Sequence, residues 1–164
     1  MDHHHNPSTT SDKPHQTTPL TTEPLVLSPK AITSLPTSSY PDDTSRTSRG
    51  NCSWRTLISS PLTKTNSLTV GIISCPAGSG FLACHRHSQA EVYHIISGHG
   101  FVRIDGTEHE VEAGSVVFIP GNAEHGVRND GDEGEELKWF YCFAVDGFDE
   151  VRYRFSEEER SLLQ

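Results

Sequence analysis

Short apolar segments broken by turn residues make up the chain from Leu57 onward. β-Branched and aromatic residues fill the segments, while Gly, Pro, Asn and Asp occupy most of the breaks between them. The breaks recur about every 8–12 residues, which is typical of an all-β sandwich or barrel. Helical periodicity is absent from this region until residue 156. The pattern therefore predicts an all-β fold.

The predicted strands follow one another closely along the chain. They are residues 67–75, 81–87, 91–97, 101–104, 107–112, 115–119 and 136–145, with a short strand at His125. Asp105-Gly106 separates two of them and predicts a type I′ hairpin, because both residues tolerate positive φ. Only residues 156–163 look helical, with Ser156 as the N-cap ahead of three glutamates.

The first 50 residues differ in composition from the rest of the chain. They are rich in Ser, Thr and Pro, and Tyr40 is their only aromatic residue. Such a composition buries too little apolar surface to offset the entropy lost on ordering. We therefore predict a disordered tail over residues 1–50 and a single barrel domain over residues 51–164.

Acidic residues dominate the predicted domain. Residues 51–164 hold nine Lys or Arg and seventeen Asp or Glu, which is −8 of the chain's net −9. A surface without a basic stripe is unsuited to nucleic acid or to anionic lipid. No apolar run approaches the roughly 18 residues that span a membrane, and the first 20 residues show no secretory signal. We therefore expect a cytoplasmic protein with neither nucleic-acid nor membrane partners.

Four residues have the chemistry and spacing of a metal site. His85 and His87 are two apart on a predicted strand, so their side chains point to the same face. Glu91 follows four residues later, and His125 lies just after the Pro120 turn. Three imidazoles and one carboxylate suit a divalent transition ion and leave coordination positions open.

These residues stand in two segments that resemble the two motifs of the cupin superfamily. The first motif, G-x5-H-x-H-x3-E-x6-G, matches the chain from position 79 to Gly98, and the second, G-x5-P-x-G-x2-H-x3-N, matches it from Gly114 to Asn129. Ser79 and Asn122 replace a glycine of each motif, which puts the turn geometry in question rather than the ligands. The resemblance implies a small jelly-roll barrel that holds a metal on His85, His87, Glu91 and His125.

The same resemblance implies the cofactor, and strand alternation indicates the neighbouring groups. The cofactor would be one divalent transition metal ion, Fe2+ being favoured over Mn2+, Ni2+, Cu2+ or Zn2+. If Glu91 faces inward, so does Tyr93, whereas His94 points to the surface. Tyr93 and Tyr141 are the best inward candidates for catalytic acid or base. Arg103 is left open between an anion-binding role and the barrel rim.

Three functions compete at this point. Likeness to one subgroup of single-domain cupins favours a metal-dependent oxidoreductase that acts on a small organic substrate, such as an aromatic polyketide-derived one, in secondary-metabolite biosynthesis. The alternatives are a metal-dependent lyase or isomerase similar to the enzymes that cleave dimethylsulfoniopropionate, or a non-catalytic small-molecule-binding cupin. The expected partner is a small-molecule substrate. Pairing of two copies into a homodimer through an edge strand is also considered.

Overall fold

The computed structural model describes residues 21–41, 48–131 and 135–163. The elements in chain order are α1 (Pro29–Ser34), β1 (Ser38–Ser39), β2 (Ser53–Ile58), β3 (Thr69–Cys75), β4 (Gly80–Arg86), β5 (Glu91–Ser97), β6 (His99–Ile104), β7 (Thr107–Glu112), β8 (Val116–Ile119), β9 (His125–Asn129), β10 (Leu137–Phe143), a 3-10 helix (Phe148–Glu150), β11 (Arg154–Phe155) and α2 (Ser156–Ser161). The predicted all-β fold is confirmed. Within the described ranges, no helix is long and apolar enough to cross a membrane.

The strands form two antiparallel sheets around one core. The first sheet has the order β1-β2-β3-β10-β5-β8, and the second has the order β11-β4-β9-β6-β7. Some strands that follow one another in the chain, such as β4 and β5 or β9 and β10, belong to different sheets. Core residues from both sheets pack together in one apolar cluster. The site residues of β4, β5 and β9 can therefore meet between the sheets.

Strand β10 shows how side-chain alternation builds this interior. Its burial alternates at every residue, with Leu137, Trp139, Tyr141 and Phe143 almost completely buried. The residues between them are only half-buried and face outward. Tyr141 thus points inward, as the sequence predicts, and this buried face supplies one side of the core.

The hairpin between β6 and β7 also follows the prediction. Asp105 has φ +46° and Gly106 has φ +86°, the signs that a type I′ turn requires. Ile104 pairs with Thr107 directly across the turn. The turn thus fixes the register of the two strands.

Part of the predicted N-terminal tail forms secondary structure where the structure describes it. Residues 29–41, named here the N-terminal strap, contain α1 and β1, and β1 pairs with β2 through Ser38 and Ser39. Residues 1–20 and 42–47, which also belong to the predicted tail, lie outside the described residues. The acidic loop predicted around 130–135 is likewise described only outside 132–134.

Local caps and tertiary contacts explain why the strap is ordered despite its composition. The Ser28 side chain accepts a hydrogen bond from the Ala31 N–H, and Pro29 occupies the first helical turn, where its missing N–H has no cost. Arg55 Nε donates to the carbonyl of Leu35 at 3.3 Å. The ring of Tyr40 packs against the hydrophobic core. Segment composition alone misses such contacts.

Two further details depart from the sequence predictions. Strand β2 was not predicted, and all six of its residues are half-buried, so no alternating pattern marks it. The N-cap of α2 is Phe155 rather than Ser156, because β11 runs directly into the helix and leaves Ser156 as its first residue. The three glutamates do lie in the first turn of α2, as predicted.

Candidate metal centre

Three histidines converge between the sheets. His85 lies on β4 and His125 begins β9, and the two residues pair directly across these antiparallel strands. His87 follows the end of β4 on the same side as His85. The ligand atoms of the three imidazoles all lie within 4.8 Å of one another, so these residues could hold a metal ion. All three side chains are buried.

Backbone hydrogen bonds fix the tautomer of each ring. Nδ1 of His85 and of His125 lies 2.8 and 2.9 Å from the carbonyl oxygen two residues earlier in the chain. Nδ1 of His87 lies 2.9 Å from the carbonyl oxygen two residues later. A carbonyl can only accept, so each Nδ1 carries the proton. Each Nε2 therefore presents its lone pair to the space between the rings.

Glu91 brings an oxygen into the same space. Its Oε2 lies 3.4 Å from Nε2 of His87 and 3.3 Å from Nε2 of His125. This oxygen and the Nε2 atoms of all three histidines are buried and have no hydrogen-bond partner. Orphaned buried polar atoms are costly, and a cation among them would satisfy all four together. The residues present therefore fit a divalent metal ion.

Electrostatics keep at least one of these rings in the ligating form. Burial, reinforced by the neighbouring His125 ring, lowers the pKa of His85 well below its usual value. A neutral imidazole is the form that binds a metal ion. His85 is thus prepared for coordination in the folded chain at neutral pH.

One of the two motif departures, Asn122, lies on a turn that positions His87. Asn122 has φ +65°, in the left-handed region that Asn tolerates, and its N–H donates to the His87 carbonyl at 2.7 Å. A Cβ on Gly121 would lie 2.4 Å from the Ser88 carbonyl oxygen, so only glycine fits there. The turn before His125 is therefore held against the segment that carries His87.

Comparisons with known proteins agree with this fold. The family model described as "Cupin domain" matches residues 71–143. Dimethylsulfoniopropionate lyase DddW of Ruegeria pomeroyi is 40% identical over 107 residues, which cover 65% of this chain and 68% of that protein. The chain belongs to the cupin superfamily.

Solved cupins resemble the chain in fold. A cupin-2 domain protein from Rhodospirillum rubrum superposes with a TM-score of 0.61 at 17% identity, covering 86% of each chain. The lyase DddQ of Ruegeria pomeroyi superposes with a TM-score of 0.54 at 22% identity, covering 68% of this chain and 53% of the other. At these identities the likeness shows the fold alone.

The interior of this cupin contains a small cavity beside the histidines. Its volume is about 20 Å³, and its lining is Tyr40, Cys52, Trp54, Ile73, Leu82, Tyr141, Phe148 and Tyr153. The five aromatic residues in that lining are named here the aromatic wall, and the three histidines with Glu91 are named the metal wall. The lining contains neither a basic nor an acidic side chain.

Tyr93 and Tyr141, the two predicted catalytic residues, both point inward. Tyr93 lies between Trp139 and the metal wall, with its ring centroid 6.4 Å from that of His125. Burial and the nearby Glu91 carboxylate raise the pKa of Tyr93. Tyr141 belongs to the cavity lining, and its hydroxyl is 3.4 Å from Thr56 Oγ1. Burial raises the pKa of Tyr141 to about 12.

Tyr153 is the functional candidate that sequence reasoning missed. Its ring stacks on His85 at a centroid distance of 4.6 Å and meets the ring of His87 edge-on at 5.3 Å. It also lines the cavity, so it links the two walls. Alternation of Tyr153 and Phe155 with arginines signalled a strand near the C-terminus. Nothing in that pattern showed which sheet the strand would join.

Two further candidate residues lie outside the metal centre because their side chains are exposed. His94 is exposed on the outer face of β5, as predicted. Arg103 is exposed on β6, so its side chain is not part of the interior. Neither residue belongs to the metal wall.

Proposed function

We propose that this cupin is a metal-dependent lyase that cleaves small carboxylates carrying an onium leaving group, of which dimethylsulfoniopropionate is the model. The observation that carries the proposal is that Tyr153 links four unpartnered ligand atoms to a neighbouring aromatic cavity whose lining lacks basic and acidic groups. The relative at 40% identity, named a dimethylsulfoniopropionate lyase, supports the reaction class.

The metal wall would hold the ion through Nε2 of His85, His87 and His125 and through Oε2 of Glu91. A bound divalent ion supplies positive charge that binds the substrate carboxylate and makes the adjacent C–H more acidic. The chain's own contribution is a rigid donor set, because each imidazole is oriented by its Nδ1–H bond to a backbone carbonyl. Fe2+ remains the favoured ion and the other four remain alternatives.

The aromatic wall is suited to the cationic end of such a substrate. Onium groups are attracted to the faces of Trp and Tyr rings, each desolvated contact contributing about 1–2 kcal/mol. Trp54, Phe148 and Tyr153 present rings to the cavity without a competing lysine or arginine. A cationic leaving group held there and a carboxylate at the metal wall would orient the bond to be broken.

We assign Tyr153, in its phenolate form, to take the proton through Oη. Burial raises the pKa of Tyr153 in the metal-free chain, so the positive charge of a bound ion would be needed to stabilise that phenolate. In the elimination, the proton on the carbon next to the carboxylate leaves, its electron pair forms the C=C bond, and the carbon–sulfur bond breaks with both electrons on the neutral sulfide. Tyr153 lies at the junction of the two walls, where that proton would be. Tyr93 and Tyr141 are proposed to orient Glu91 and the cavity floor.

An elimination assay tests the proposal directly. Metal-free chain would be loaded separately with Fe2+, Mn2+, Ni2+, Cu2+ and Zn2+ and given dimethylsulfoniopropionate without oxygen. We expect dimethyl sulfide and acrylate in equal amounts, detected by gas and liquid chromatography. Products that form only with oxygen and a redox-active ion would favour the oxidoreductase instead, and substrate binding without any product would favour the binding module.

A paired comparison tests the role assigned to the aromatic wall. Trp54→Leu should raise KM for the sulfonium substrate by about tenfold, the equivalent of one lost cation–π contact. Phe118→Leu, at an exposed aromatic residue on β8, is the matched control and should leave KM unchanged. Equal KM values for both variants would remove the onium subsite from the proposal. The cytoplasmic location, the homodimer and the polyketide context stay predictions, as does disorder in the parts of the predicted tail that lie outside the described residues.

A further inference from the structure

Tyr40 lies where edges of the two sheets approach each other. β1 is an edge strand of the first sheet, and β11 is an edge strand of the second. Tyr40 directly follows β1, and its ring centroid is 5.0 Å from that of Trp54 on β2 and 5.6 Å from that of Phe155 on β11. One side chain of the N-terminal strap therefore bridges both sheets.

A separate space lies on each side of this ring. On the outside is a surface pocket of about 160 Å³, lined by Tyr40, Pro41, Arg49 and Glu158. On the inside is the cavity of about 20 Å³, lined by Tyr40 and by Tyr153, which stacks on His85. Tyr40 is common to both linings, so it lies between solvent and the metal wall.

The far side of the outer pocket is tied to α2 and β11. Arg49 Nε lies 2.6 Å from Glu158 Oε1, and the Arg49 guanidinium lies 5.0 Å from the centroid of the Phe155 ring. Tyr40, by contrast, follows a strand of only two residues, Ser38 and Ser39, that pairs with β2. The strap side is therefore the side that can yield at a small cost in backbone hydrogen bonds.

The size of the cavity requires such a movement. A volume of about 20 Å³ has room for about one water molecule, whereas small-molecule sites usually enclose several hundred Å³. We propose that Tyr40 is a gate residue, whose ring closes the route from the outer pocket to the metal centre and must swing aside to admit substrate. This inference rests on the metal centre proposed above but not on lyase chemistry.

Metal release to a chelator tests the gate without any turnover. The full-length chain would be loaded with Zn2+ and mixed with excess EDTA, and zinc loss followed in time. Tyr40→Ala should release zinc at least about tenfold faster at an unchanged equilibrium affinity, as expected when a closed lid is removed. Tyr40→Phe keeps the ring and should stay within about twofold of the wild-type rate.

Acrylamide quenching of tryptophan fluorescence gives a second measurement that needs no metal. Trp54 contacts Tyr40, while Trp139 is completely buried. Tyr40→Ala should therefore raise the quenching constant through Trp54, and Phe118→Ala should not change it. Should the alanine variant fold poorly, Tyr40→Leu keeps apolar packing without a ring and should still release zinc faster than Tyr40→Phe.

The outcomes separate the gate from the proposed function. Equal zinc release from wild type and Tyr40→Ala would overturn the gate, since metal would then reach solvent elsewhere. The gate would also be overturned if Tyr40→Ala lost equilibrium affinity for zinc by the same factor as its release rate rose. Tyr40 would then only stabilise the metal site. A wild-type chain that binds no zinc or other divalent ion would refute the metal centre and with it a gate to that centre. The quenching comparison would still show whether the Tyr40 ring shields Trp54 from solvent.

Discussion

The metal wall and the aromatic wall meet where Tyr153 stacks on His85, but they are built differently. The metal wall comes from β4, β5 and β9, and its side chains are at most 2% exposed. The aromatic wall draws on the strap, β2, β10, the 3-10 helix and the segment before β11, and all of its rings except that of Tyr141 are only partly buried. A fixed donor set thus lies beside a lining that comes largely from segments outside the central strands. We infer that coordination requires rigidity, whereas substrate entry requires a side that can yield.

The largest effect should follow from removing one donor of the metal wall. His125→Asn should lower metal affinity by more than about a hundredfold, because changes in outer-shell partners alone cost about 10–100-fold. Metal content by elemental analysis and the elimination rate should fall together. His94→Asn, at an exposed histidine on β5, is the control and should retain both. If His125→Asn kept its metal, the metal wall would not be the donor set that holds the ion.

Removing one hydroxyl at the junction of the walls should come next. Tyr153→Phe keeps the stacked ring but loses Oη, so we expect kcat to fall by about 10²–10⁴-fold with little change in metal content. Tyr141→Phe removes a hydroxyl that faces Thr56 rather than the histidines, and its kcat should change much less. Steady-state kinetics on both variants would decide between them. A larger loss in Tyr141→Phe would contradict the role assigned to Tyr153 and favour the catalytic role that the sequence predicts for Tyr141.

Truncating a ring packed against the metal wall should cost more unfolding free energy than truncating a ring of the aromatic wall. Phe143 is completely buried and meets the His87 ring edge-on at 5.1 Å, so Phe143→Ala should cost about 3–5 kcal/mol of unfolding free energy. Phe148 is partly buried in the aromatic wall, and Phe148→Ala should cost about 1–2 kcal/mol. Urea unfolding of both variants measures the difference. Equal costs would mean that the packing around Phe143, beside the metal wall, is no tighter than the packing of the aromatic wall.

The smallest expected effect is a pH dependence of the metal-free chain. Because burial lowers the pKa of His85 in the folded state, the unfolded chain takes up this proton first as the pH falls. The contribution of neutral His85 to the free energy of unfolding is therefore fully present above about pH 6.5, the usual pKa of histidine. It is lost as the pH falls below that value toward the lower pKa of the folded state. Urea unfolding between pH 7.5 and 5 should show this decline, and His85→Asn should flatten it. Parallel curves for the two proteins would contradict the buried neutral imidazole.

Sequence reasoning reached the metal wall more readily than the aromatic wall for a physical reason. His85, His87 and Glu91 lie within seven residues, where strand periodicity determines which side chains share a face. The same periodicity gave the inward face of β10 and the Asp105-Gly106 hairpin. These features are local, so composition and spacing contain them.

The aromatic wall depends on contacts between distant segments. Tyr40 stood in a Ser/Thr/Pro-rich tract that predicted no structure, yet it packs on Trp54 and Phe155. Tyr153 is placed beside His85 only because β11 pairs with β4. Sheet pairing and ring packing of this kind leave no periodic signal in the chain. The lyase chemistry proposed for the cavity likewise depends on residues that only the fold brings together.

Anomalous diffraction at the absorption edge of the bound metal tests the central claim most directly. Crystals of chain loaded with one equivalent of zinc should show one strong peak about 2.0–2.2 Å from Nε2 of the three histidines and from an oxygen of Glu91. A loaded chain whose only peaks lie away from these atoms, or that shows no peak at all, would contradict the account.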